Sequence, residues 1–256
     1  YTELIPNDPN PFDSYGELLM KMGRFDESIT NYQKALSLDP NFAASHVGVA
    51  ANNMYKRMYN EGTAELNKLY DMARNDGERR QALFAQMVLY ADQGKLDLAL
   101  QGVERQYALG EKTNDAAGMI GDLASKANIL YEMGKYDDAL AAFQQLVRMA
   151  EGSDLSTDIK ENIKLFHHYN LGMVAIAKND MKTAEAEAGA FQKGAEASKN
   201  PNQIRQASQL AGSVAMAQKK FEVAVAEFLQ SNMQNPYDLY RLGQAYQAKG
   251  DKAKAK

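Results

Sequence analysis

The chain of 256 residues has no cysteine and no tryptophan. Without cysteine there are no disulfides, thiolate nucleophiles or cysteine-held zinc, and the sequence suits the cytosol and an oxidising compartment equally. Without tryptophan it lacks the best stacking surface for sugars or quaternary amines. Only six prolines occur, which leaves the long middle of the chain free to be helical. No apolar run approaches the roughly 20 residues needed to cross a bilayer, so membrane insertion is not expected. The net charge is −4 and is spread along the chain, which gives no electrostatic footprint for nucleic acid. Hydrophobic residues at 45% and charged residues at 24% describe an ordinary folded composition. The first residue is Tyr1 and not methionine, so a leading segment is expected to be missing.

What is present is a periodic pattern. Ser14–Pro40 reads as two amphipathic helices. Tyr15, Gly16, Leu19 and Met22 mark one stripe, Gly23-Arg24 the break, and Phe25, Ile29, Tyr32, Ala35 and Leu36 the second stripe. Tyr1–Leu4 reads as the last turn of a preceding helix. Asn7–Pro11 reads as a turn-forming linker, with Asp13 or Ser14 available as a cap. Similar pairs recur over approximately 41–74, 78–109, 116–150, 159–197 and 201–235, with a partial unit at 237–256. A small residue entering each second helix provides a ruler: Ser28, Ala64, Ala99, Ala139, Ala184 and Ala224, at steps of 36, 35, 40, 45 and 40. The longer middle steps predict longer helices or loops near 110–115, 151–158 and 193–202. Glycine within a helix costs about 1 kcal/mol relative to alanine, so Gly16, Gly48, Gly172, Gly212 and Gly243 predict close packing.

Candidate chemistry is sparse. His46, His167 and His168 are the three histidines, and neighbours on a helix point about 100° apart, so His167 and His168 are poorly placed to share one ion. No phosphate-cradling glycine loop, H-E-x-x-H pair or nucleophile elbow occurs. Acidic pairs such as Asp26-Glu27 and Asp137-Asp138 fall in first turns of helices, where the helix dipole favours them. Neither a catalytic centre, a metal site nor a cofactor is expected. The lysines at 249, 252, 254 and 256 read as the solvated face of a helix.

Tyr15-Gly16-Leu19-Ser28-Tyr32-Pro40, Leu171-Gly172-Ala184, Ala211-Gly212-Phe221-Ala224-Phe228-Pro236 and Leu242-Gly243-Tyr246 resemble the tetratricopeptide repeat, W-x2-L-G-x2-Y, A-x3-F, P. The resemblance covers essentially the whole chain and departs most where Gln86-Met87 replaces the Leu-Gly pair. It implies an all-α, right-handed superhelix of about six and a half repeats in a single domain, cut from a longer chain because both ends fall within a repeat. It also implies a non-catalytic scaffold or adaptor whose groove holds a peptide or helix. By register, the groove candidates are Asp13, Glu17, Asn53, Phe84, Asn128, Tyr131, Tyr169, Met173, Gln209, Ser213, Tyr240 and Gln244. Family members that grip a C-terminal carboxylate use basic residues and asparagine where this chain has Asp13, Glu17, Gln81 and Ala85, which argues against that ligand. Two further expectations are a docking arm of a larger enzyme or signalling protein, and an exported glycan-binding protein of bacterial type.

Overall fold

The computed structural model describes residues 3–255. Among the described residues there are thirteen helices: α1 (Pro9–Lys21), α2 (Phe25–Leu38), α3 (Ala43–Tyr55), α4 (Tyr59–Met72), α5 (Asp76–Asp92), α6 (Leu96–Thr113), α7 (Ala116–Glu132), α8 (Tyr136–Gly152), α9 (Thr157–Ala177), α10 (Met181–Ser198), α11 (Pro201–Ala217), α12 (Phe221–Phe228) and α13 (Pro236–Lys249). They form two compact units, Tyr1–Met133 with α1–α7 and Gly134–Lys256 with α8–α13. Within each unit the helices pack against their sequence neighbours, and first helices also meet one another, α1 with α3, α3 with α5, and α9 with α11. The chain is all-α and built of helix–turn–helix repeats. The extra length of the middle repeats is helical, since α6, α9 and α10 run for 18, 21 and 18 residues.

The turn inside each repeat is built the same way. One residue at each takes a positive φ: Gly23, Arg57, Gly94, Gly134, Asn179, Lys219 and Gly250. Its backbone then lets the next residue donate to a carbonyl five back, as Arg24 does to Leu19 at 2.9 Å and Asp180 to Ala175 at 2.8 Å, satisfying a helix end that would otherwise be orphaned. Glycine adopts this conformation at no steric cost, whereas Arg57, Asn179 and Lys219 do so against their Cβ atoms.

These turns correct the ruler in the second repeat. Ala64 is exposed, and the small buried residue three positions into α4 is Gly62, as Ser28 is in α2 and Ala99 in α6. A Cβ on Gly62 would lie 2.7 Å from the Leu89 side chain and 3.2 Å from the Ala50 carbonyl, so a larger residue would have to displace both. Gly48 is likewise two residues out of step with Gly16, and its role is different. Tyr32, only 3% exposed, is wedged between the two glycines. A Cβ would meet its ring at 3.1 Å from Gly16 and at 2.3 Å from Gly48. Gly212 serves Phe228 in the same manner at 2.7 Å and Gly172 meets Leu210 at 3.2 Å, but Gly243 has only the Ala255 carbonyl at 3.4 Å, so close packing is not its reason. Beneath Tyr32, Ser28 donates to the Gly16 carbonyl at 2.6 Å and accepts from Asn52 Nδ2 at 2.9 Å, tying α1, α2 and α3 together.

Four boundary expectations change. Of Tyr1–Leu4, Tyr1 and Thr2 lie outside the described residues, and Glu3 and Leu4 form a turn, not a helix end. The cap of α1 is Asp8, whose carboxylate accepts from the Asn10 amide at 2.9 Å; Pro9 then occupies the first helical position, where its missing N–H costs nothing, and Asp13 and Ser14 are inside the helix. Asn75 caps α5, which absorbs Asp76 and Gly77. At the other end, Lys249 closes α13, Lys252 and Lys254 lie in turns, and Lys256 is outside the described residues.

Candidate functional site

The repeated turn supplies a register for the corresponding face of each first helix. The residues ten and six before each left-handed turn residue are Asp13/Glu17 on α1, Val47/Ala51 on α3, Phe84/Val88 on α5, Ala124/Asn128 on α7, Tyr169/Met173 on α9, Gln209/Ser213 on α11 and Tyr240/Gln244 on α13. Ten of the twelve sequence candidates fall on this ladder. Asn53 does not, because the second repeat was read two residues out of step; its side chain is 8% exposed and points into the repeat. Tyr131 is half-buried and also lies off the ladder.

The ladder differs between the units. On α9 and α11 it is closed. Tyr169 donates to Gln209 Oε1 at 2.6 Å and packs edge-on against Phe191 with centroids 5.5 Å apart. Gln209 is 3% exposed, Ser213 donates back to its carbonyl at 2.9 Å, and Met173 packs into the Phe191 cluster. Burial pushes the Tyr169 phenol up, so it stays a neutral donor. These side chains use their polar atoms on each other. Tyr240, at 66% exposed, and Gln244 are open on α13.

On α3 and α5 the ladder is open and apolar. Val47, Ala51 and Met54 on one helix and Phe84, Ala85 and Val88 on the other line a cavity of about 160 Å³, with Ala50, Leu66 and Leu89 at its floor. The opening exists because the α3 side of the ladder is small, while Phe84, 50% exposed, forms a wall on the other side. Sequence reading found Phe84 but missed Val47, Ala51 and Val88, because aliphatic residues on a helix carry no signal that separates groove from core. Across α3 from this cavity, on α1, Asp13 accepts from Ser45 Oγ at 2.7 Å and is half-buried; burial first, then the nearby Glu17 charge, raises its carboxyl above the usual range. Glu17 is paired with Lys21 at 2.6 Å.

A second, larger hollow of about 930 Å³ lies in the second unit between the start of α9, the end of α10 and the start of α11. Its polar lining is internally satisfied: Gln203 donates to Asn162 at 2.6 Å and accepts from Ser198. Nearby, His168 Nδ1 lies 2.6 Å from Glu187 Oε2 while His167 turns inward with its Nδ1 buried and unpartnered, its basicity lowered by that burial and by His168. Among the described residues no group of three or more histidine, aspartate or glutamate side chains is placed to hold a metal ion, and no helix is long and apolar enough to cross a membrane.

Comparison with known proteins agrees with this construction. The family described as "TPR repeat" matches residues 16–51 and the one described as "Tetratricopeptide repeat" matches residues 125–202. No curated protein matches the chain. Among solved structures, a tetratricopeptide repeat protein from Parabacteroides merdae superposes with a TM-score of 0.63 at 12% identity over 96% of this chain and 89% of its own. Pseudomonas aeruginosa pilF does so with 0.56 at 16% identity over 94% and 97%. Aspartyl phosphate phosphatase F from Bacillus subtilis reaches 0.68 at 12% identity over 94% of this chain, which spans 65% of that protein. At such identities the likeness is one of fold. With the repeated left-handed turn and the small residue three positions into each second helix, the two matched segments show that this chain carries tetratricopeptide repeats.

Proposed function

We propose that this chain is a non-catalytic scaffold or adaptor that binds a segment of a partner protein along the first-helix face of its first unit. The observation that carries the reading is the open apolar cavity between α3 and α5. Its lining leaves Phe84 and Val88 substantially exposed, at 50% and 38%, on a face whose equivalent in the second unit is closed by Tyr169 and Gln209. Exposed apolar surface that a folded chain retains in a concavity is stabilised when a partner covers it. The cavity is smaller than the several hundred Å³ of a typical small-molecule site and matches one bulky side chain. Asp13 and Glu17 on the neighbouring helix α1 oppose a partner's terminal carboxylate.

The test is photo-crosslinking in cells with p-benzoylphenylalanine in place of Phe84, with and without Ala51→Glu. A charge at Ala51 leaves the helix intact but places an unpaired carboxylate in the cavity. Discrete adducts that vanish with Ala51→Glu are expected. Adducts that persist unchanged with Ala51→Glu would remove the cavity from the function.

A further inference from the structure

Asp13 has a feature that packing alone leaves unexplained. It is half-buried and bonded to the Ser45 hydroxyl at 2.7 Å, and no cation lies within 4 Å of it among the described residues. The acidic residue one turn on, Glu17, is already paired with Lys21. Burial first, and then the Asp13 and Glu17 charges, push the nearby Tyr32 phenol up, so it stays neutral. Every other ladder side chain of the first unit is uncharged: Val47, Ala51, Phe84, Val88, Ala124 and Asn128. The exposed face therefore presents one uncompensated carboxylate beside one apolar hole.

Taking the partner-binding reading above as its premise, we infer that the occupant of this face is an extended peptide segment carrying a lysine or arginine three or four residues from a bulky apolar side chain, the cation on Asp13 and the apolar group between α3 and α5. The spacing follows from the helices. Packed helices lie about 8–10 Å apart, and the cavity is centred beyond α3 from α1, so the two anchors are about 12–14 Å apart. An extended chain rises about 3.3 Å per residue, so three to four residues cover about 10–13 Å, and the reach of a long lysine or arginine side chain supplies the remainder. Arginine suits the site best, because its guanidinium can meet a carboxylate through two parallel hydrogen bonds. A segment with an acidic group at that place is excluded by repulsion, and a half-buried carboxylate discriminates more strongly than a fully solvated one.

The test uses the full chain and a random twelve-residue peptide library. Binders are selected, sequenced and measured by fluorescence anisotropy against wild type, Asp13→Asn and Ala51→Glu, and again with the peptide's basic residue changed to glutamine. Asp13→Asn keeps the bond to Ser45, and circular dichroism checks its fold. The expected result is enrichment of a basic residue three or four positions from an apolar one. Asp13→Asn should weaken such peptides about three- to tenfold, more at low salt, while leaving the glutamine version unchanged. Peptides that lose binding with Ala51→Glu but show no basic preference, or no response to Asp13→Asn, would overturn this inference and leave the groove reading standing. A library that yields no binders, or binders indifferent to Ala51→Glu, would overturn both.

Discussion

Replacing Gly48 by alanine places a methyl group 2.3 Å from the Tyr32 ring, against the 3.4–4 Å of ordinary contact, so the ring or the α3 backbone must move by more than an ångström. The ring cannot retreat freely. It is 3% exposed, and on its other side Gly16 already allows a Cβ only at 3.1 Å. Overpacking of this kind costs about 2–3 kcal/mol, and the helix propensity of alanine returns about 1 kcal/mol, so Gly48→Ala is expected to destabilise by about 1–2 kcal/mol. Gly121→Ala is the matched control: it too lies inside a helix, with nothing within 4 Å of the added Cβ, and should gain up to about 1 kcal/mol. Urea unfolding followed by helical ellipticity would measure both. The m value needs watching, because a repeat array can lose one end before the other. A double mutant with Tyr32→Leu should recover part of the loss, since the two side chains share one space. Gly48→Ala as stable as Gly121→Ala would refute the wedge.

Lys219 is exposed, forms the left-handed turn of the sixth repeat and pays for its Cβ there; Lys219→Gly should raise the unfolding free energy measured in urea by about 0.5–1 kcal/mol, and a loss would show the turn residue is not strained. Arg80 bridges α5 to α6 and α7, reaching the Gln106 carbonyl and lying 2.9 Å from the Asp122 carboxylate, which is 3% exposed; Arg80→Ala should cost about 3–5 kcal/mol in thermal unfolding, partly restored by adding Asp122→Ala. His46, fully buried, faces Glu65 through Nδ1 and the Pro40 carbonyl through Nε2 at 2.9 Å, and the bond to His46 holds the Glu65 carboxyl below its usual range. A depressed carboxyl contributes stability that is complete above its unfolded value of about 4.3–4.5 and is lost as the pH falls through the lower folded value. The gap in urea midpoint between wild type and Glu65→Gln should therefore be widest near neutrality and narrow below about pH 4; a gap independent of pH would refute the pairing.

Most of the architecture was readable because it rests on local rules. Apolar stripes at helical spacing, glycine at turns and proline at helix edges act within a few residues of where they are written. The register of the second repeat was not readable, for a reason that Gly48 makes concrete. That glycine answers the Tyr32 of the preceding repeat, not its own, and lies two residues before the in-step position, while the small residue Ala64 lies two residues after Gly62; the ruler settled on Ala64 and with it on Asn53 in place of Ala51. The candidate site suffered more than the fold. Tyr169, Gln209 and Ser213 looked like free recognition groups, but they spend their polar atoms on each other.

By itself, then, the sequence determined an all-helical repeat chain, because helical periodicity and helix ends are properties of neighbouring residues. Only the tertiary structure decided which aliphatic side chains face the open cavity between α3 and α5 and which lie in the core. It also decided that Asp13 is half-buried without a cation, whereas Glu17, one turn away on the same helix, has one. Those facts depend on which helices approach one another and at what register. Side chains of the same type then end up as core, wall or recognition group according to what the next repeat places against them.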